Sequence, residues 1–225
     1  MIVQKKNAGR RAAEYVEDGM VIGLGTGSTA QHAIERIGER IREENLDIMA
    51  VPTSEATETQ AKNLNIPLTT LDEHNTLDLT IDGADEVDPH LNIIKGGGGA
   101  LLREKIVAYH SEKEIIVVDP SKMVEKLGLD FALPVEIVTF CPNAVIRSVE
   151  ELECTANLRM HQSEIYVTDN HNYILDCKFD EIEYPYKLSQ ELNGIPGVVE
   201  NGLFVNMADK IIIGKEEGFE EISKD

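Results

Sequence analysis

The apolar run MVIGLG opens into a glycine loop, GLGTGSTA (Gly23–Ala30), and the loop gives way to Ile34, Ile37 and Ile41 at helical spacing. A strand, a glycine turn and an amphipathic helix in immediate succession start a parallel sheet, because strands joined through helices run the same way. The pattern repeats. A helix is expected over residues 1–17, ended by Asp18-Gly19, then a strand at Ile48–Val51 and a helix from near Ser54. Strand-like segments follow at Pro67–Leu71 and Leu77–Ile81, then a helix over about Ala100–His110 and a strand at Ile115–Val118. This alternation predicts an α/β fold with a mostly parallel sheet covered by helices.

From Pro134 the texture changes. A strand at Val135–Thr139, a helix around Asn143–Glu153, a hairpin turning near Asp169–Asn172, a helix around Pro185–Asn193 and a strand beyond Gly197 are expected. That order, β-α-β-β-α-β, is the order of a ferredoxin-like α+β unit. The apolar run Lys210–Gly214 is expected to return to the first sheet, which makes the second unit an insertion. The division expected is 1–130 plus 206–225 for the parallel-sheet domain and 131–205 for the smaller one.

With 225 residues and 42% hydrophobic content, the chain has ample material for a buried core. No apolar run approaches the ~20 residues of a membrane helix, and MIVQKKNAGRRAAEYV lacks the apolar block of a secretory signal, so a cytoplasmic protein without a membrane partner is expected. Cys141, Cys154 and Cys177 form no CxxC pair, and the six histidines show no HxxxH or HExxH spacing, so no required metal is predicted. The net charge of −20 speaks against nucleic acid, which needs a basic face. It would also repel a small anion, so a phosphorylated ligand must be held by local Lys, Arg or backbone N–H groups.

Three segments carry the chemistry. In the first, Thr26, Gly27, Ser28 and Thr29 place N–H groups and hydroxyls at a helix N-terminus, suited both to capping by Ser28 or Thr29 and to holding a phosphate. Gly25, Gly27 and Ala30 also fit the looser GxGxxA dinucleotide fingerprint, but Val51-Pro52-Thr53 stands where that fingerprint expects an acid. In the second, DGADEVD (Asp82–Asp88), Asp82 and Asp85 frame Gly83 and Ala84 in a turn after a strand, and clustered carboxylates suit proton transfer or sugar hydroxyls. An ordinary Asp-Gly turn and a divalent-cation site are the alternatives. In the third, Lys95 precedes Gly96, Gly97, Gly98 and Gly99, and Glu104 follows on the helix they introduce; the pair could polarise a carbonyl and move a carbon-bound proton, or form a solvated charge pair. All three are expected beyond the carboxyl ends of parallel strands, where open α/β sheets bind ligands. Lys122, in DPSK, adds a cation near the same rim.

Taken in order, GLGTGSTA, DGADEVD and KGGGGALLREK closely resemble type A ribose-5-phosphate isomerase, and VVDPSK, LPVE, VTDN and NGIPGVVENGLF extend the similarity over almost the whole chain. The resemblance implies a Rossmann-like domain with a smaller ferredoxin-like domain, a homodimer or homotetramer, no cofactor, and interconversion of ribose 5-phosphate and ribulose 5-phosphate in the non-oxidative pentose phosphate pathway. By position, Glu104 matches the family's catalytic base. Lys95 through Gly98, Thr26 to Thr29, Asp82 to Asp85 and Lys122 match its substrate contacts, with Asp82 and Asp85 assisting ring opening and proton exchange. Two rivals share the fold group: a CoA transferase, which would form a glutamyl thioester, and a sugar-phosphate-sensing regulator, whose DNA-binding segment and basic face this chain lacks.

Overall fold

Ile22 and Leu24 of the strand Val21–Leu24 and Ala33, Ile34 and Ile37 of the helix Ala30–Glu44 are buried in one cluster, as a strand–glycine–helix unit requires. The computed structural model describes residues 1–224, and the chain divides into two units. The first comprises Met1–Ala84, Arg103–Lys122 and the segment from Met207; the second comprises Asp85–Leu102 and Met123–Asn206.

The first unit holds a six-stranded sheet in the order Phe219–Ser223, Lys210–Gly214, Glu114–Val118, Leu79–Gly83, Val21–Leu24, Met49–Pro52. All neighbours are parallel except Phe219–Ser223, which runs antiparallel to Lys210–Gly214. From Val21–Leu24 the chain moves to Met49–Pro52 on one side and later to Leu79–Gly83 on the other. The strand order therefore reverses between Val21–Leu24 and Leu79–Gly83, the switch point at which such sheets open a crevice. Helices Ile2–Ala13, Ala30–Glu44, Glu55–Asn63 and Leu101–Tyr109 complete the alternation. Among the described residues, no helix is long and apolar enough to cross a membrane.

Phe219–Ser223 is an exposed, acidic edge strand tied down by charge. Glu221 accepts hydrogen bonds from Arg11 Nε (2.6 Å), Tyr15 Oη (2.8 Å) and Lys210 Nζ (3.1 Å). Burial pushes its carboxyl up, but the bonds from Arg11, Tyr15 and Lys210 outweigh burial and bring it from 4.5 to about 2. A carboxylate depressed in the folded state contributes stability above its unfolded pKa and loses it as pH falls through the folded one. The stability gap between wild type and Glu221→Gln is expected to be full above pH 4.5 and to close toward about pH 2, as urea titrations at stepped pH will show.

The second unit holds a four-stranded antiparallel sheet in the order Val198–Asn201, Leu133–Ile137, Tyr173–Lys178, Thr155–Leu158, with helices Pro142–Glu150 and Pro185–Asn193. This is the expected ferredoxin-like arrangement. Val135, Ile137, Val145, Val149, Leu175 and Leu192 fill its core. A short hairpin, Met160–His161 with Glu164–Ile165, is added before Tyr173–Lys178.

Three expectations need amendment. Pro67–Leu71 forms no strand; Leu68 makes only an isolated bridge to Ala50, and Pro67 has no N–H to give a ladder. Residues 85–102 and 123–130, expected with the parallel sheet, cluster with the second unit. Glu86–Val87, Ile93–Ile94 and Leu203–Phe204 pair there as a three-stranded antiparallel sheet, and the Glu86 carboxylate accepts from the Gly128 and Phe131 N–H groups (2.7 and 2.9 Å). The glycine run of the third segment consequently leaves Ile93–Ile94, a strand of that small antiparallel sheet, and not a strand of the parallel one.

Candidate active site

The carboxyl edge of the first unit's sheet gathers Thr26, Gly27, Ser28 and Thr29 after Val21–Leu24, Asp82 and Gly83 at the end of Leu79–Gly83 with Ala84 beyond, and Lys122 after Glu114–Val118. Asp82 is fully buried, and its Oδ1 accepts from Thr26 N (3.0 Å) and Gly83 N (2.7 Å). This carboxylate sews two strand ends together across the switch point. A Cβ on Gly25 would lie 2.2 Å from that oxygen, so only glycine lets the loop approach. Gly25→Ala is expected to destabilise the protein by about 1–3 kcal/mol, seen as a lower urea midpoint at unchanged slope.

Sequence reasoning missed the support beneath Thr26. Its hydroxyl meets Thr53 Oγ1 (2.8 Å), Ser54 Oγ (2.8 Å) and Thr57 Oγ1 (3.1 Å), while Thr57 Oγ1 donates to Gly25 O (2.9 Å) and Thr53 Oγ1 to Leu24 O (3.0 Å). The loop is thus fixed by hydroxyls from the residues just past the neighbouring strand and from the first turn of the helix that follows it. Expected capping is not what Ser28 and Thr29 do: Thr29 makes no capping side-chain bond, and Ser28 Oγ, at an exposed position, accepts from Lys5 Nζ at 2.8 Å. Gln31 N and His32 N of the first helical turn are taken by Gly27 O (2.9 Å) and Thr29 O (3.1 Å), so any anion at this helix N-terminus must be met by the N–H groups and hydroxyls of the loop itself.

Glu104 lies on the first turn of the helix Leu101–Tyr109 and is 4% exposed. The helix runs against the parallel strands. Leu77, which leads into Leu79–Gly83, is bonded through its N–H to His110 O and through its carbonyl to Glu112 N, both at 2.8 Å, so the helix C-terminus sits at the strands' amino ends. Its N-terminus, with Glu104, therefore points to the carboxyl edge that carries Asp82.

The remaining expected residues, Asp85, Lys95, Gly96, Gly97 and Gly98, belong to the second unit. Lys95 is 2% exposed, with its Nζ 5.5 Å over the Phe204 ring and its backbone N–H bonded to Gly202 O at 2.9 Å. Lysine is almost never so buried without a charge-stabilising environment. Asp85 Oδ2 accepts from Gly97 N (2.7 Å), and a Cβ on Gly97 would lie 2.6 Å from Asp85 Oδ1. Gly97 and Gly98 themselves are exposed. The other acids of DGADEVD serve the backbone: Glu86 as described, and Asp88 Oδ1 by accepting from His90 N and Asn92 N at 2.8 Å each.

The family model for ribose 5-phosphate isomerase A (phosphoriboisomerase A) matches residues 49–218. The chain is 52% identical over 214 residues to ribose-5-phosphate isomerase A of Streptococcus pneumoniae (strain ATCC 700669 / Spain 23F-1), covering 95% of this chain and 94% of that one. Among solved structures it is similar to ribose 5-phosphate isomerase from Plasmodium falciparum, with a TM-score of 0.97, 42% identity and 100% of both chains covered. It is also similar to a D-ribose-5-phosphate isomerase in complex with phospho-erythronic acid, with a TM-score of 0.95, 41% identity and coverage of 98% of this chain and 97% of that one.

Proposed function

The chain belongs to the ribose 5-phosphate isomerase A family, and we propose that it interconverts D-ribose 5-phosphate and D-ribulose 5-phosphate through an enediolate, with Glu104 as the base. The observation that carries this reading is the buried side chain of Glu104 on a helix's first turn, directed to the carboxyl edge of the sheet. A carboxylate is the kind of general base that taking a proton from carbon requires.

In the open-chain aldose, Glu104 takes the proton on C2, the C–H electron pair becomes the C1–C2 double bond, and the aldehyde oxygen gains the negative charge. Returning the proton to C1, with the O2 proton transferred to O1, gives the ketose. The buried ammonium of Lys95 opposes the developing oxyanion charge. Thr26 to Thr29 hold the phosphate through backbone N–H groups and hydroxyls, with Lys122 adding positive charge and Gly96 to Gly98 further donors. Asp82 and Asp85 assist ring opening and exchange of the oxygen-bound proton. A relative's complex with phospho-erythronic acid supports this, since an aldonic acid phosphate carries negative charge where an enediolate would. The reaction so proposed is a step of the non-oxidative pentose phosphate pathway.

Running the reaction in deuterium oxide tests the enediolate. Proton exchange at the base is expected to deliver deuterium to C1 of the ketose, read by proton NMR. Transfer of the C2 hydrogen to C1 without any solvent label, at every pH tried, would point to a hydride shift and remove Glu104 as base.

A further inference from the structure

Four consecutive glycines have more backbone freedom to lose than any other run of residues, so a loop that must present fixed N–H donors needs brackets from outside itself. The second unit supplies one. Arg159 Nη1 donates to Gly96 O (2.9 Å) and Gly97 O (3.1 Å), and Tyr166 Oη donates to Gly98 O (3.3 Å). Three successive carbonyls are drawn onto two side chains. The guanidinium is itself held: Arg159 Nε reaches Asp176 Oδ2 (3.0 Å), Nη2 reaches Asp176 Oδ1 (2.5 Å), and the Tyr166 ring lies 5.9 Å away. The Arg159 side chain is only 14% exposed and Asp176 33%, so the bidentate pair is partly shielded from water, most of all on the guanidinium side.

A trans peptide points its N–H away from its carbonyl, so whatever holds the carbonyls also aims the donors. The peptide joining Gly96 to Gly97 is gripped on both sides, by Arg159 at its carbonyl and by Asp85 Oδ2 at the Gly97 N–H. The next peptide has its carbonyl on the same guanidinium nitrogen, which turns the Gly98 N–H away from Arg159.

We propose that Arg159, locked by Asp176 and seconded by Tyr166, is a positioning residue that sets the Gly96–Gly98 loop in the geometry that binds the sugar phosphate. This rests on the reading of that loop as a substrate contact. Arg159 touches no reacting atom, and its contribution is to binding and not to proton transfer.

The test is Arg159→Ala in the full-length protein, assayed well below its own melting temperature. KM for ribose 5-phosphate is expected to rise ~10-fold or more while kcat falls less than ~3-fold, the signature of lost binding geometry. Millimolar guanidinium, which can refill the emptied place, is expected to restore KM, and Asp176→Asn to raise KM in the same direction. The double variant should be no worse than Arg159→Ala alone, because both break one unit. A folded Arg159→Ala protein with wild-type KM, or one that loses only thermal stability, overturns the proposal. Should wild type fail to isomerise, the functional reading falls, and calorimetric binding of ribose 5-phosphate then decides this one: weakened binding in Arg159→Ala upholds the clamp and equal binding refutes it.

Discussion

Glu104→Gln is expected to lower kcat by roughly 10³- to 10⁴-fold while leaving binding of ribose 5-phosphate measurable by calorimetry. The amide keeps the shape of the carboxylate and its capacity to hydrogen-bond, so packing at a position only 4% exposed is preserved. What it loses is the basic lone pair. Because the side chain is buried, bulk water has poor access to take over as base, and the deficit should fall on the chemical step. A variant retaining activity within tenfold of wild type would mean that another group removes the C2 proton.

Lys95→Met is expected to reduce kcat/KM by roughly 10²- to 10³-fold, the scale of losing one preorganised charge from a developing oxyanion. Methionine matches the length and apolar stem of the lysine, so Phe204 keeps a packing partner. The variant is expected to remain folded at the assay temperature while activity collapses. Steady-state kinetics beside a thermal melt separates the two: loss of both together would make Lys95 a structural residue.

The parallel sheet was readable because each of its inner strands is an apolar run beside a glycine loop or an amphipathic helix, and Ile34, Ile37 and Ile41 mark their helix by spacing alone. Strands that lack that signature escaped. FEEIS, at Phe219–Ser223, is exposed and acidic and pairs only through Lys210–Gly214, while Glu86–Val87, Ile93–Ile94 and Leu203–Phe204 are two residues each and gain meaning only from one another. Losing those short strands from view also misplaced residues 85–102 in the domain division. The site's glycines and acids stand out in the sequence, but their supports do not. Thr53, Ser54 and Thr57 lie 27 to 31 residues from Thr26, and Arg159 lies 62 or 63 residues from the carbonyls it holds, distances over which no local pattern signals contact. Conversely, Ser28 and Thr29 have the composition of a cap without its geometry, since one serves Lys5 and the other makes no capping bond.

The most direct test of the central claim is the rate at which the purified, chelator-treated protein converts ribose 5-phosphate to ribulose 5-phosphate, followed beside Glu104→Gln. Rapid conversion by wild type that collapses in the variant is the result predicted. A folded wild-type protein that binds the sugar phosphate and leaves it unchanged would contradict the assignment and point to a sensor of the same ligand.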